Sequence, residues 1–337
     1  MEKNSTPNHT FLEQLDHYCQ EGTIPAKYAQ NLQQFYTGFQ QALTDANLSI
    51  VPYAALFEQY LKLVRDQCIE PYVFEPYHHR LRHPFDYYQF GLDILKPLIN
   101  SHKSSVQGTH YIKPITDTLK RGNNVILFAN HQTEADPQAI SILLENSHPD
   151  LAEQMIFVAG DRVVTDPLAV PFSMGRNLLC IYSKRYIDHP PELKLKKQLH
   201  NKRTMELMSE LLSEGGKIIY VAPSGGRDRP NAEGIVEVAP FDSQSIEMFY
   251  LMASRAGHPT HFYPLSLKTF ELLPPPQTIQ VELGEARLAK RGNIHLSFGP
   301  EIDMEHFPGC DIKDKHERRQ ARASFIWNLV RTHYDTL

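Results

Sequence analysis

The sequence predicts an α/β protein: an N-terminal helical bundle followed by a larger α/β domain with a mixed sheet. Three observations carry this expectation. Up to about residue 85, apolar residues recur at helical spacing with no strand-like run between them. From about residue 120, short β-branched apolar runs alternate with helical stretches. The chain has 337 residues and 41% apolar content, enough for about two domains at roughly 100–200 residues each.

In the first part, Phe11, Leu12 and Leu15 open one amphipathic pattern. A second runs from Pro25 to Ala46, with Leu32, Phe35, Phe39 and Leu43 three or four residues apart. A third follows Val51 through Leu56, Tyr60, Leu63 and Val64. A small bundle is the natural packing for such helices. It is assigned to residues 1–85, and the α/β domain to 86–337. Residues 71–85 read PYVFEPYHHRLRHPF, and their prolines suit a bent connection. His79 and His83 stand at i, i+4, a spacing that also suits a metal pair. No second pair of ligands is evident, and a polar linker accounts for the same residues.

The apolar runs of the second part are Asn124–Ala129, Met155–Ala159, Lys217–Ala222, His261–Leu267, Thr278–Leu283 and Asn293–Phe298. Helical stretches at about 137–147 and 192–214 separate the first three. That alternation predicts a largely buried sheet, and the close spacing of the later runs makes part of it antiparallel. Leu195, Leu199, Met205, Met208 and Leu212 are the expected buried stripe of the second helix, with Gly215 as its C-terminal cap.

Composition excludes several classes. A net charge of -5 argues against a duplex-DNA binder that relies on overall basic charge, and nucleic acid is not an expected partner. Cys19, Cys68, Cys180 and Cys310 are scattered, so neither a disulfide framework nor a zinc site is expected. No apolar run approaches the roughly 18 residues of a membrane span. The start, MEKNSTPNHT, has neither the apolar core of a signal peptide nor Arg-rich transit character. A soluble protein of a bacterial-type cytoplasm is expected, with a mature plastid stromal form as the alternative.

The chemistry gathers where strands end. Asn124–Ala129 runs directly into NHQTEADP, residues 130–137. Functional residues of α/β sheets collect at the C-terminal ends of strands. There, a neutral His131 can accept a hydroxyl proton while a carboxylate on its other nitrogen fixes the tautomer. Asp136 is placed to fold back for that purpose. The G-x-S-x-G nucleophile elbow is absent, so the activated hydroxyl belongs to a substrate. The same spacing also describes an ordinary helix start, with Asp136 at the N-cap and Pro137 at the first helical position.

A second candidate is PSGGRDRP, residues 223–230, after the run Lys217–Ala222. Two glycines permit a sharp turn, and the Arg227 and Arg229 guanidinium groups match phosphate oxygens. A solvated turn, with Asp228 paired to a neighbouring arginine, is the competing reading. Neither G-x-x-x-x-G-K-[ST] nor G-x-G-x-x-G occurs, so a nucleotide site is not indicated. A third feature is residues 184–203. Seven basic residues there face only Asp188 and Glu192, a local balance of +5. This is either a solvated face or an attractor for an acidic carrier or an anionic substrate.

These residues resemble a known family. NHQTEADP contains the H-x4-D block of glycerolipid acyltransferases. PFDYYQFG at 84–91, VAGDRVVTDP at 158–167, PFSMGRNL at 171–178, APSGGRDRP at 222–230 and APFD at 239–242 follow in order. Together they resemble the soluble, plastid-type glycerol-3-phosphate 1-O-acyltransferases, which also occur in some bacteria. The resemblance spans roughly residues 70–300.

The resemblance implies a glycerolipid acyltransferase fold, with His131 and Asp136 as the catalytic pair and Arg227 and Arg229 as phosphate contacts. The family's S-K-K-H segment, also assigned to the substrate phosphate, reads Ser183-Lys184-Arg185-Tyr186 here. Lys184 and Arg185 keep their charge. Tyr186 replaces a histidine and brings a hydroxyl without positive charge at neutral pH. The implied reaction moves an acyl group from acyl-acyl carrier protein or acyl-coenzyme A to the sn-1 hydroxyl of glycerol 3-phosphate. It needs no cofactor and no metal. An acidic carrier would dock on the basic face at 194–203. The amphiphilic product implies peripheral contact with a membrane, though no segment of the sequence identifies the contact face. The alternatives are sn-2 acylation of 1-acylglycerol 3-phosphate and a catalytically silent lipid- or carrier-binding scaffold.

Overall fold

The computed structural model describes residues 7–183, 187–276 and 284–337. Among them are ten strands: β1 (Tyr77–His78), β2 (Ser105–Gln107), β3 (Asn124–Ala129), β4 (Ile156–Gly160), β5 (Asn177–Ile181), β6 (Ile218–Val221), β7 (Arg229–Pro230), β8 (Val236–Glu237), β9 (Thr260–Lys268) and β10 (His295–Phe298). Eight form one sheet in the order β1-β5-β4-β6-β3-β9-β10-β2, and β7 and β8 form a separate ribbon. Strands β5, β4, β6, β3 and β9 run parallel. β10 is antiparallel to β9, and β1 to β5. The sheet is therefore mixed, as the sequence predicts.

Strand β3 explains why its sequence is continuously apolar. Val125, Leu127 and Ala129 face one helical layer, while Ile126 and Phe128 face the other. A strand covered on both sides has no polar face to show. The helices are α1 (Pro7–Gln20), α2 (Ala26–Asp45), α3 (Ala54–Ile69), α4 (Tyr87–Leu95), α5 (Ile112–Lys120), α6 (Asp136–Leu144), α7 (Pro149–Gln154), α8 (Val170–Ser173), α9 (Lys194–Glu214), α10 (Ser243–Arg255) and α11 (Lys315–Asp335). Apolar residues of α5 to α8 cover the first face of the sheet. Those of α9, α10 and α11 cover the second.

Helices α1 to α3 close around aromatic rings. Phe57 meets Phe11, Tyr36 and Phe39 edge-on, with centroids 5.7, 4.9 and 4.8 Å away. Edge-to-face pairs stabilise beyond their buried area by about 0.5–1.5 kcal/mol each. This cluster takes in Phe90 and Ile94 of α4 and Ala135 and Ala139 at the start of α6. The helical part thus packs directly against the segment that carries NHQTEADP.

Five of the six expected strands form within two residues of their predicted limits. Thr278–Leu283 lies outside the described residues. Strand β5 was not anticipated. Its sequence, NLLCI, starts with a polar residue and has one β-branched side chain, so it lacks the local strand signal. Its five parallel and two antiparallel residue pairings come from tertiary packing. His79 and His83 lie outside any helix and are exposed, so their spacing does not make a helical pair.

Helix α9 corrects the sequence reading most clearly. Leu195 and Leu199 are 67% and 57% exposed, whereas Lys197 is only 8% exposed. The inward face is polar because it docks on the end of β5. Thr204 Oγ donates to the Cys180 carbonyl at 2.7 Å. His200 Nε2 lies 3.0 Å from the same oxygen, and the Tyr182 amide donates to Asn201 Oδ1 at 2.7 Å. The Lys197 ammonium donates to the His189 carbonyl and sits over the Tyr182 ring. Met208, Leu211 and Leu212 are buried as the helix passes over the sheet. Gly215 caps it at φ 78, and a Cβ there would come 2.3 Å from the Gly122 carbonyl. All four cysteines are free thiols. Among the described residues, no helix is long and apolar enough to cross a membrane.

Candidate active site

His131 stands two residues beyond β3, at the C-terminal edge of the parallel strands. Its Nδ1 lies 2.8 Å from Asp136 Oδ2. An ionised carboxylate only accepts, so Nδ1 carries the proton and Nε2 is left as the basic nitrogen. Asp136 is wholly buried. Its Oδ2 also accepts the Gln132 amide at 2.8 Å, and its Oδ1 accepts the Thr133 amide at 3.2 Å and Thr269 Oγ at 2.6 Å. These bonds fix the carboxylate, which in turn fixes the imidazole. The helix-start alternative is partly overturned. The N-cap of α6 is Ala135, and no side chain caps it. Asp136 begins the helix, yet its side chain bends back to the loop.

The turn at 223–230 is tied to the same place. The Asp228 amide donates to the His131 carbonyl at 2.6 Å, and Gly225 adopts φ +64 within the turn, a conformation glycine takes at no steric cost. Asp228 is buried, not solvated. Its carboxylate accepts Asn130 Nδ2 at 2.7 Å, Gln132 Nε2 at 3.2 Å and the Ala239 amide at 2.9 Å. Burial pushes its carboxyl up to about 6, against these hydrogen bonds. The reading of Asp228 as an ion partner in a solvated turn therefore fails. Asn130 is locked to Leu267 of β9, accepting its amide and donating to its carbonyl, both at 2.8 Å.

Arg227 and Arg229 project from either side of this anchored aspartate. Arg227 Nη2 reaches Glu285 Oε1 at 2.6 Å, and its Nη1 lies 4.0 Å from Glu134. Arg229 donates to the Pro276 carbonyl. Lys184, Arg185 and Tyr186 lie outside the described residues.

Several charged residues of the site escaped sequence reasoning. Arg162, on a short 3-10 turn after β4, lies 3.3 Å from Glu285. Arg287 Nε meets Glu134 at 2.8 Å, and its Nη2 meets Asp166 at 3.2 Å. Burial alone would raise the Glu134 carboxyl, but the Arg287 and Arg227 charges hold it below its ordinary value. Arg162 and Asp166 sit inside VAGDRVVTDP, and the strand-end rule applied to His131 also picks out Arg162. Glu285 and Arg287 lie in a stretch with no periodic signal. Among the described residues no group of His, Cys, Asp or Glu side chains forms a metal cluster.

Beside these charges lies a cavity of about 140 Å³. His131, Glu134, Asp136 and Arg287 line its polar end. Phe35, Tyr60, Phe157, Phe172, Leu178 and Leu273 supply apolar walls. An imidazole on a buried carboxylate, guanidinium groups and an apolar cavity thus converge at one sheet edge. The arrangement suits a reaction that brings an anionic group and an apolar chain together.

Comparisons with known proteins identify the family. A family model described as Acyltransferase matches residues 105–268. A chloroplastic glycerol-3-phosphate acyltransferase of Arabidopsis thaliana is 38% identical over 97% of this chain and 72% of its own length. The protein of the same name from Pisum sativum is 36% identical over 99% of this chain and 74% of its own. That from Spinacia oleracea is 35% identical over 99% and 71%. Among solved structures, a 1-acyl-sn-glycerophosphate acyltransferase from Thermotoga maritima aligns with a TM-score of 0.41 at 17% identity, covering 74% of this chain and 78% of that one. The chain belongs to the glycerol-3-phosphate acyltransferase family.

Proposed function

We propose that this protein transfers an acyl group from an acyl thioester to the sn-1 hydroxyl of glycerol 3-phosphate, giving 1-acyl-sn-glycerol 3-phosphate. The observation that carries the mechanism is the 2.8 Å contact between His131 and Asp136 at the polar end of the apolar cavity. His131 Nε2 takes the sn-1 hydroxyl proton as that oxygen attacks the thioester carbonyl. Asp136 keeps Nδ1 protonated and stabilises the imidazolium. The C–O bond forms, the tetrahedral oxyanion collapses, and the C–S bond breaks. The departing thiolate takes that proton from His131 Nε2, which returns the imidazole to its neutral form; the thiol's pKa of about 8.5 makes it a ready leaving group. No enzyme nucleophile is needed, so the kinetics should be sequential rather than ping-pong.

The phosphate is assigned to Arg227, Arg229 and the Lys184, Arg185 and Tyr186 segment. The acyl chain is assigned to the cavity between Tyr60, Phe172 and Leu178. Acyl-acyl carrier protein is the proposed donor, and acyl-coenzyme A presents the same thioester. The reaction belongs in an aqueous compartment, a bacterial cytosol or the plastid stroma. The chloroplastic names of the relatives support the stroma.

Incubating purified protein with labelled glycerol 3-phosphate and either thioester tests this. A labelled 1-acyl product, formed in the presence of a chelator, is expected. No product from either donor, or acylation only of added 1-acylglycerol 3-phosphate, would overturn the proposal.

A further inference from the structure

The first half of α9 carries an apolar stripe that no other described residue covers. Leu195 and Leu199 are one turn apart and lie on one helix face. Leu193, just before the helix, is also exposed. Lys194, Lys196, Lys202 and Arg203 flank the stripe and are exposed as well. From Lys194 to Arg203 there is no acidic residue. Acidic side chains stand at either end of it: Asp188 meets Lys194 at 2.9 Å, Glu206 meets Lys202 at 3.8 Å and Arg203 at 3.4 Å, and Glu210 meets Arg203 at 3.0 Å. Helix α9 docks through His200, Asn201 and Thr204 on Cys180 and Tyr182. That is the C-terminal end of β5, the same edge of the parallel sheet that carries His131.

We propose that this face of α9 is the surface by which the protein docks on an anionic phospholipid bilayer. The leucines enter the boundary between headgroups and acyl chains, and the flanking cations meet lipid phosphates. Charge complementarity favours this occupant: the patch is cationic in a chain of net charge -5. An acidic protein would match the lysines but would leave the leucines against a polar surface. A bilayer matches both. The inference rests on the proposed reaction for its purpose, since the product is a single-chain phosphate amphiphile destined for a bilayer. Docking on this face brings the edge of the sheet that carries His131 toward the membrane.

Vesicle sedimentation of the full chain tests the surface without requiring turnover, so an inactive enzyme would leave the measurement intact. Binding is expected to phosphatidylcholine vesicles containing phosphatidylglycerol, weakly or not at all to phosphatidylcholine alone, and to fall with added salt. The double variant Leu195→Ser and Leu199→Ser should lose about tenfold or more in vesicle affinity. Its turnover with acyl-coenzyme A in the absence of vesicles should be unchanged, which also shows that it is folded. Lys196→Glu with Lys202→Glu should abolish the preference for anionic vesicles. Failure of the unmodified protein to bind anionic vesicles would overturn the proposal, as would equal binding by the leucine variant. So would a result in which these variants leave vesicle binding intact and raise KM only for a carrier-protein donor, which would give the face to the carrier.

Discussion

Arg227 holds both carboxylate oxygens of Glu285 with one nitrogen, Nη2, at 2.6 Å and 2.8 Å. The arginine assigned to the substrate phosphate therefore already has an anionic partner. Glu285 is also 3.3 Å from Arg162. A phosphate that engages Arg227 must share or replace a carboxylate. Glu285→Gln should accordingly lower KM for glycerol 3-phosphate by roughly tenfold, equivalent to about 1.4 kcal/mol, with kcat little changed. Steady-state kinetics over a range of glycerol 3-phosphate concentrations checks this. A raised KM would mean that Glu285 holds Arg227 in place for the substrate.

The proposed catalytic pair has its own signature. His131→Ala should reduce kcat by about 10²–10⁴-fold, the range for loss of a general base. Asp136→Asn should also be severe, because an amide does not fix the imidazole tautomer as a carboxylate does. Calorimetry should still detect glycerol 3-phosphate binding to both. Turnover near that of the unmodified protein in His131→Ala would remove His131 from the chemistry.

Arg229 offers a cleaner test of phosphate binding than Arg227, whose removal would also take a cationic partner from Glu285 and Glu134. Arg229→Ala should raise KM for glycerol 3-phosphate and leave KM for the acyl donor alone. Losing one charged contact costs about 2–5 kcal/mol. An effect confined to the donor would place Arg229 at the thioester instead.

His78 predicts the pH dependence of stability. Burial lowers its pKa below the ordinary 6.5. Its Nε2 lies 3.2 Å from the Met174 carbonyl and its Nδ1 3.3 Å from the Tyr72 hydroxyl. A neutral ring satisfies both, donating to the carbonyl and accepting from the hydroxyl. Below about pH 6.5 the unfolded chain binds more protons than the folded one. Stability from this group is thus present above that pH and lost as pH falls through it. Melting temperatures at pH 7.5 and 5.5 should differ less in His78→Gln than in the unmodified protein. An equal difference would assign the acid sensitivity to other groups.

The parts of the fold that the sequence revealed are those where local pattern and burial agree. Val125 to Ala129 is apolar because both faces of β3 are covered, and the same run points to the loop that bears His131. Helix α9 was misread because its first half docks through polar side chains. Lys197 and Thr204 are buried where leucines were expected, and Leu195 faces solvent. Strand β5 hides for a related reason, since its pairing partners rather than its residues make it a strand. At the site, His131, Asp136, Arg227 and Arg229 are candidates in the sequence because each lies in a segment that follows an expected strand, Asn124–Ala129 or Lys217–Ala222. Arg287 reaches Glu134 across 153 residues and Glu285 reaches Arg227 across 58, both from irregular backbone. Only the folded chain places them beside Glu134.

Phe35 and Tyr60 come from the N-terminal helices, yet they line the same cavity as His131. Tyr60 is fixed there by a 2.9 Å hydrogen bond from its hydroxyl to the Leu168 carbonyl. With the acyl chain assigned to this cavity as proposed, the residues for bond making and those for chain contact come from different stretches of the sequence. On that assignment, substitutions at Phe35 or Tyr60 alter the cavity wall while leaving the His131–Asp136 pair in place.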